Sequence, residues 1–127
     1  MNDNAIEQEI IAKGLTAPRI TPADIQANIV SEHYFTAGDA AFPGDAIASI
    51  DAPAYEAMRL LTFCVLVLRN GFTVTGESAC ASPENFNAEI GRQIARQNAV
   101  QKIWMLEGYL LKERLHDRRD VGECGTA

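Results

Sequence analysis

LTFCVLVLRNGFTVTGESACASPENFNAEIGRQIARQNAVQKIWMLEGYLLKERL, residues 61–115, decides the fold of this chain. Residues 60–68 are almost continuously apolar, and Phe63, Val65 and Val67 are aromatic or β-branched, which favours a pleated strand. Asn70-Gly71 follows, a strong signal for a two-residue hairpin loop of type I′. Such a loop sets Arg69 opposite Phe72, Val67 opposite Val74 and Val65 opposite Gly76. The first strand is apolar on both faces, so it is expected to be central, with more sheet or a partner chain beyond it. Two strands alone are marginal.

Ser82-Pro83-Glu84 reads as a helix start: a hydroxyl N-cap, proline at the first helical position and an acid near the positive dipole end. Asn85 stands where a full capping box would carry Glu or Gln. Large apolar residues then recur at helical spacing, at Phe86, Ile90, Ile94, Ile103, Leu106 and Leu110. A second stripe is small, Ala88, Gly91, Ala95 and Ala99, and suits close backbone approach, most simply to the protein's own sheet. One helix over 83–115 would be roughly 50 Å long, against a radius of gyration of ~14 Å for a compact domain of this size. The arm therefore either breaks or projects and packs on another subunit. Glu107-Gly108 is the weakest helical point, and the expectation is a bend or break near Met105–Gly108 and a dimer as well.

Outward from this stretch, Ile6, Ile10 and Ile11 mark a helix over residues 2–13, ended by Gly14. Thr21-Pro22 starts a second helix, expected over 22–33, with Ile20 and Ile25 placed as a hydrophobic staple. The Ala-, Gly-, Asp- and Pro-rich stretch that follows breaks the pattern and reads as a long surface loop that could cover a ligand. The expected fold class is α+β: a small antiparallel sheet built on one β-hairpin, packed with N-terminal helices and long C-terminal helices, dimeric or higher. The expected organisation is a single domain over 1–127, with helices in 1–35, a loop at 36–58, the hairpin at 60–80, the helical arm at 82–116 and a flexible tail at 117–127.

The net charge is −6. Three bases face nine acids in residues 1–60, whereas residues 61–127 hold eight of each. Long nucleic acid wants a basic surface, and this balance speaks against it. No apolar run is long enough to span a membrane, and the opening MNDNAIEQE does not resemble a signal peptide. Three cysteines without CxxC spacing suggest a reducing compartment and no zinc site.

His33 and His116 are isolated in sequence, so no nucleophile–base–acid set is legible. Cys64 is expected to be buried in a strand and inert, and Cys80 has no histidine beside it. The glycines form neither a Walker loop nor a dinucleotide fingerprint. The expectation is therefore no enzyme, no catalytic residue, no metal and no cofactor. The positive signal is a nucleotide-binding kit. Phe86 could offer a ring face if it is not core, Asn85, Asn87 and Asn98 offer amides, and Arg92 and Arg96 offer phosphate forks.

The same residues carry a resemblance. Cys64, Asn70-Gly71-Phe72, Gly76-Glu77-Ser78, Asn85-Phe86, Gly91, Ala95, Asn98-Ala99 and Leu106-Glu107-Gly108-Tyr109-Leu110 resemble a widespread family of small phage proteins. Ile20-Thr21-Pro22 and Asp24-Ile25 resemble its N-terminal element. That family includes the Thoeris anti-defence proteins, sponges for a cyclic ADP-ribose isomer. The resemblance implies a binder in the host cytoplasm that sequesters a cyclic nucleotide signal without cleaving it, and a homodimer or hexamer with pockets at the dimer interface. By residue type, it implies adenine contacts at Phe86 and Asn98 and phosphate contacts at Arg92 and Arg96. Lys112 and Arg114 are candidates for a second site that takes cyclic oligonucleotides. The competing reading is a phage accessory protein that binds and inhibits a host protein through its acidic N-terminal half.

Overall fold

The computed structural model describes residues 2–15, 17–44 and 52–125. The chain forms two compact units, residues 29–102, and residues 1–28 with 103–127.

The first unit holds an antiparallel sheet in the order β1 (Ile29–Thr36), β2 (Leu61–Leu68), β3 (Thr73–Ala79). β2 is central, as its two apolar faces require. Its burial alternates strictly: Thr62, Cys64, Leu66 and Leu68 are buried, and the residues between them are half-buried. The buried face continues on β3 through Val74 and Gly76. It meets the N-terminal part of a 38-residue helix, Ala88–Gly125, through the small stripe, in which Ala95 and Ala99 are fully buried. The large residues Ile90 and Ile94 stay 53% and 42% exposed. Small residues form the packed seam because the backbones meet there. A Cβ on Gly76 would lie 2.1 Å from the Ala95 carbonyl oxygen, and one on Gly91 would lie 3.0 Å from Thr62 Oγ1.

The second unit pairs α1 (Asp3–Ala12) and α2 (Pro22–Ala27) with the C-terminal part of that long helix. Thr21 and Asp24 close a reciprocal capping box at the start of α2, with bonds of 3.1 and 2.9 Å. Ile25 and Ile103 are buried. Trp104 Nε1 donates to Asp3 Oδ2 at 3.1 Å, and Asn28 Nδ2 donates to Glu107 Oε1 at 2.6 Å. Arg19 binds Glu7 through both guanidinium ends.

Several expectations are corrected. The second helix stops at Ala27, and Ile29–Thr36 is a strand, not helix or loop. Ile25, Ile29 and Val30 fit a helical period, but IVSEHYFT is rich in β-branched and aromatic residues, and β2 offers it a ladder. The expected loop contains two short helices, α3 (Ala37–Ala41) and α4 (Ala52–Met58); its residues 45–51 lie outside the described residues. The hairpin loop has three residues. Gly71 N–H donates to the Leu68 carbonyl at 2.8 Å with Gly71 at φ +89°, and Leu68 faces Phe72. Among the described residues no non-glycine has positive φ, so Asn70 does not form a type I′ turn. The observed loop is a type I turn closed by a glycine bulge. The ladder is therefore one residue out of the expected register, with Leu66 opposite Val74 and Cys64 opposite Gly76. That slip moves Val74 and Gly76 onto the buried face.

The arm also differs. Ser82 makes no side-chain cap; it donates to Glu84 within a 3₁₀ turn, Pro83–Asn85. The long helix, α5, begins at Ala88, where Asn87 Oδ1 accepts from the Ile90 N–H at 3.0 Å. α5 passes Gly108 without interruption and reaches Gly125, through residues expected as a break and a tail.

Candidate functional site

Within the sheet unit, β1, α3, α4, β2 and the start of α5 surround a cleft of about 370 Å³, near the lower end of the ~300–1,000 Å³ typical of ligand pockets. Its floor is the sheet, through Tyr34, Phe35, Thr36 and Thr62. One wall is Phe86, Ala88 and Arg92; the other is Asp39 of α3, Tyr55 of α4 and Arg59 just beyond α4.

The first wall follows from the corrected helix start. Phe86 falls between the 3₁₀ turn and α5 in extended backbone, φ −67° and ψ 126°, and its side chain is half-buried. Arg92 lies in the second turn of α5, exposed, and among the described residues it has no ion-pair partner. The second wall depends on Gly38. A Cβ there would stand 3.0 Å from the Arg59 backbone nitrogen and 3.2 Å from the Tyr55 ring, so glycine lets α3 close on α4. Tyr55 also meets Phe42 edge-on, with centroids 6.3 Å apart. Arg59 Nε is paired with Glu56 at 2.7 Å. The cleft thus presents aromatic rings, two guanidiniums, one carboxylate and the hydroxyls of Thr36 and Thr62.

Beside the floor runs a charged chain. Arg96 holds Glu32 with two bonds, Nε to Oε1 at 2.9 Å and Nη2 to Oε2 at 3.1 Å. Glu32 in turn accepts the Tyr34 hydroxyl at 2.7 Å. The Arg96 guanidinium, then the Tyr34 hydroxyl, hold the Glu32 carboxyl below its usual range. Burial, reinforced by Glu32, pushes the Tyr34 phenol up. Burial likewise pushes the Cys64 thiol up, against the opposing hydrogen bond from Tyr34. Cys64 is fully buried and suited to packing, not nucleophilic attack.

Of the residues singled out in the sequence, Phe86 and Arg92 come together in the cleft. Arg96 is committed to Glu32. Asn98 lies one face away, its amide donating to the Glu77 carbonyl of β3 at 2.8 Å. Asn87 caps α5, and Asn85 is exposed in the 3₁₀ turn. Lys112 and Arg114 are exposed on the part of α5 that belongs to the other unit. Sequence reasoning missed Tyr34, Asp39, Tyr55 and Arg59, which lie in or beside stretches read as helix end and loop. The strand character of IVSEHYFT would have placed Tyr34 on the sheet, and no local signal marks the other three. Among the described residues no group of His, Cys, Asp or Glu could hold a metal ion, and no helix is long and apolar enough to cross a membrane.

Residues 20–115 match the family model described as "Phage protein (N4 Gp49/phage Sf6 gene 66) family". Searches of curated proteins and of solved structures found no match.

Proposed function

The chain belongs to the phage protein (N4 Gp49/phage Sf6 gene 66) family, and we propose that it captures a small cyclic nucleotide signal, a cyclic ADP-ribose isomer, and retains it uncleaved. One observation carries the reading: Phe86 and Arg92, chosen for base and phosphate from sequence alone, line the same cleft, with Arg59 as a second cation. Ring faces suit a nucleobase, and guanidinium forks suit phosphate oxygens. The resemblance to the Thoeris anti-defence proteins supplies the signal class and the biological role, protection of the phage in the host cytoplasm.

Retention without turnover is part of the proposal. So is self-association through α5, where Met105 and Tyr109 are 71% and 73% exposed and Leu106 and Leu110 are also uncovered. Exposed apolar clusters of this kind mark interaction surfaces.

The test is a thermal-shift panel of cyclic ADP-ribose isomers, cyclic dinucleotides and cyclic trinucleotides. It is followed by denaturation of the complex and analysis of the released ligand. A ligand held a thousandfold above its dissociation constant should stabilise the protein by ~4 kcal/mol. Recovery of the intact compound agrees with sequestration, and recovery of an altered nucleotide overturns it in favour of an enzyme. A protein that ignores the whole panel but retains one host protein from lysate belongs to the competing reading, inhibition through the acidic N-terminal half.

A further inference from the structure

We propose that Asp39 recognises the sugar hydroxyls of the bound nucleotide, so that the cleft takes ribonucleotides and discriminates against their 2′-deoxy analogues. The proposal rests on the nucleotide reading given above.

The observation is a mismatch of polarity. A cleft for a phosphate-bearing ligand should be lined by donors and cations, and Arg59 and Arg92 meet that need. Asp39 does not, since a carboxylate near a phosphate is repulsive unless it faces hydrogen-bond donors. Asp39 does not serve as a counter-ion either. Arg59 is satisfied by Glu56 at 2.7 Å, and among the described residues no ion pair joins Asp39 to Arg59 or Arg92. Its backbone N–H is used by Thr36 Oγ1 at 3.1 Å, a bond that leaves both carboxylate oxygens uninvolved.

The wall carrying Asp39 is held closely. Gly38 lets the α3 backbone rest on Arg59 and Tyr55, and the Phe42–Tyr55 edge contact fixes the ring. Two carboxylate oxygens on such a wall match two vicinal hydroxyls, each a donor. An acidic side chain on ribose hydroxyls is the solution used in dinucleotide-binding folds. The other donor a nucleotide offers is an amino group on its base. The aromatic rings already provide for the base by stacking, so we assign the carboxylate to the sugar.

The experiment is calorimetric titration of cyclic ADP-ribose and of its analogue lacking the adenosine 2′-hydroxyl. Both are titrated into the parent, Asp39→Ala and Arg92→Ala. The parent should prefer the ribose form by roughly tenfold or more, the worth of a hydrogen bond to a charged group. Asp39→Ala should bind the two compounds alike. Arg92→Ala should weaken both and keep the preference. If Asp39→Ala fails to fold, Asp39→Asn keeps the side-chain shape and should show a reduced preference. A parent that binds both compounds equally, or an Asp39 variant that keeps the full preference, overturns the role of Asp39. Arg92-dependent binding in that case leaves the nucleotide reading standing. A parent that binds neither compound overturns the role of Asp39, and the nucleotide reading falls with it only if the thermal-shift panel of isomers and cyclic oligonucleotides also gives no shift.

Discussion

Gly76 of β3 sits so close to α5 that a Cβ built on it would lie 2.1 Å from the Ala95 carbonyl oxygen and 2.3 Å from the Ala99 nitrogen. Both obstructing atoms are backbone, so no side-chain rotation relieves the clash. Gly76→Ala should therefore separate helix from sheet and cost at least the ~1–3 kcal/mol of an overpacked core. Urea unfolding measures this directly. A variant as stable as the parent would mean that α5 does not lie on β3 as described.

The hairpin loop gives a smaller, local prediction. Gly71 holds φ +89°, and no contact lies within 4 Å of a Cβ there. Gly71→Ala should thus cost only the backbone strain, ~1 kcal/mol, without touching the core. A cost near zero would indicate a different turn.

These two glycines also show what the sequence made legible. The strand ending at Leu68, its central place and the turn at Asn70-Gly71 can be read from local pattern. The loop length cannot, because two and three residues both suit an Asn-Gly pair, and one residue reverses the faces. What selects three residues is tertiary. Only that register puts Gly76, instead of Glu77, opposite Cys64 and under Ala95 and Ala99. The same holds for β1. Its residues fit a helix extension until β2 is present to pair with them. The cleft was half legible. Phe86 and Arg92 belong to a recognisable helix entry, whereas Asp39, Tyr55 and Arg59 are gathered by a contact between two helices too short to announce themselves.

Arg96 and Arg92 lie one turn apart on α5 and should behave differently. Arg92→Ala and Phe86→Ala are expected to weaken binding of cyclic ADP-ribose by ~1–3 kcal/mol while leaving the melting temperature nearly unchanged. Arg96→Ala removes the partner of Glu32, with side chains 30% and 35% exposed, so it should lower stability by about 1 kcal/mol or less. Its effect on binding should be indirect, through the position of Tyr34 in the cleft floor. Calorimetry and thermal unfolding on the same three variants separate the two roles.

The Glu32 pair also predicts a pH dependence. Glu32 is held below its ordinary value of 4.5 in the folded protein, first by Arg96 and then by Tyr34. A depressed carboxyl contributes stability that is fully present above the unfolded value and disappears as pH falls through the folded one. Between about pH 6 and about pH 3 the parent should therefore lose more stability than Glu32→Gln, which has no proton to take up there. Parallel unfolding curves for the two proteins across that range would remove Glu32 from the acid response.

Gly108 supplies the last prediction, because sequence and structure disagree about it. Glycine at that position marks the weakest helical point of the arm, yet α5 runs through it unbroken, and nothing lies within 4 Å of a Cβ built there. In a continuous exposed helix, Gly→Ala recovers backbone entropy and adds no clash, so Gly108→Ala should stabilise the protein by up to ~1 kcal/mol. A hinge at Gly108 would give the opposite sign, since alanine penalises the non-helical backbone that a hinge needs. A second copy packed against the glycine would give a third signature: lower stability together with loss of self-association in light scattering. Denaturant unfolding at two protein concentrations tells the three apart. The free-helix geometry is sustained only if the variant gains stability by the same amount at both.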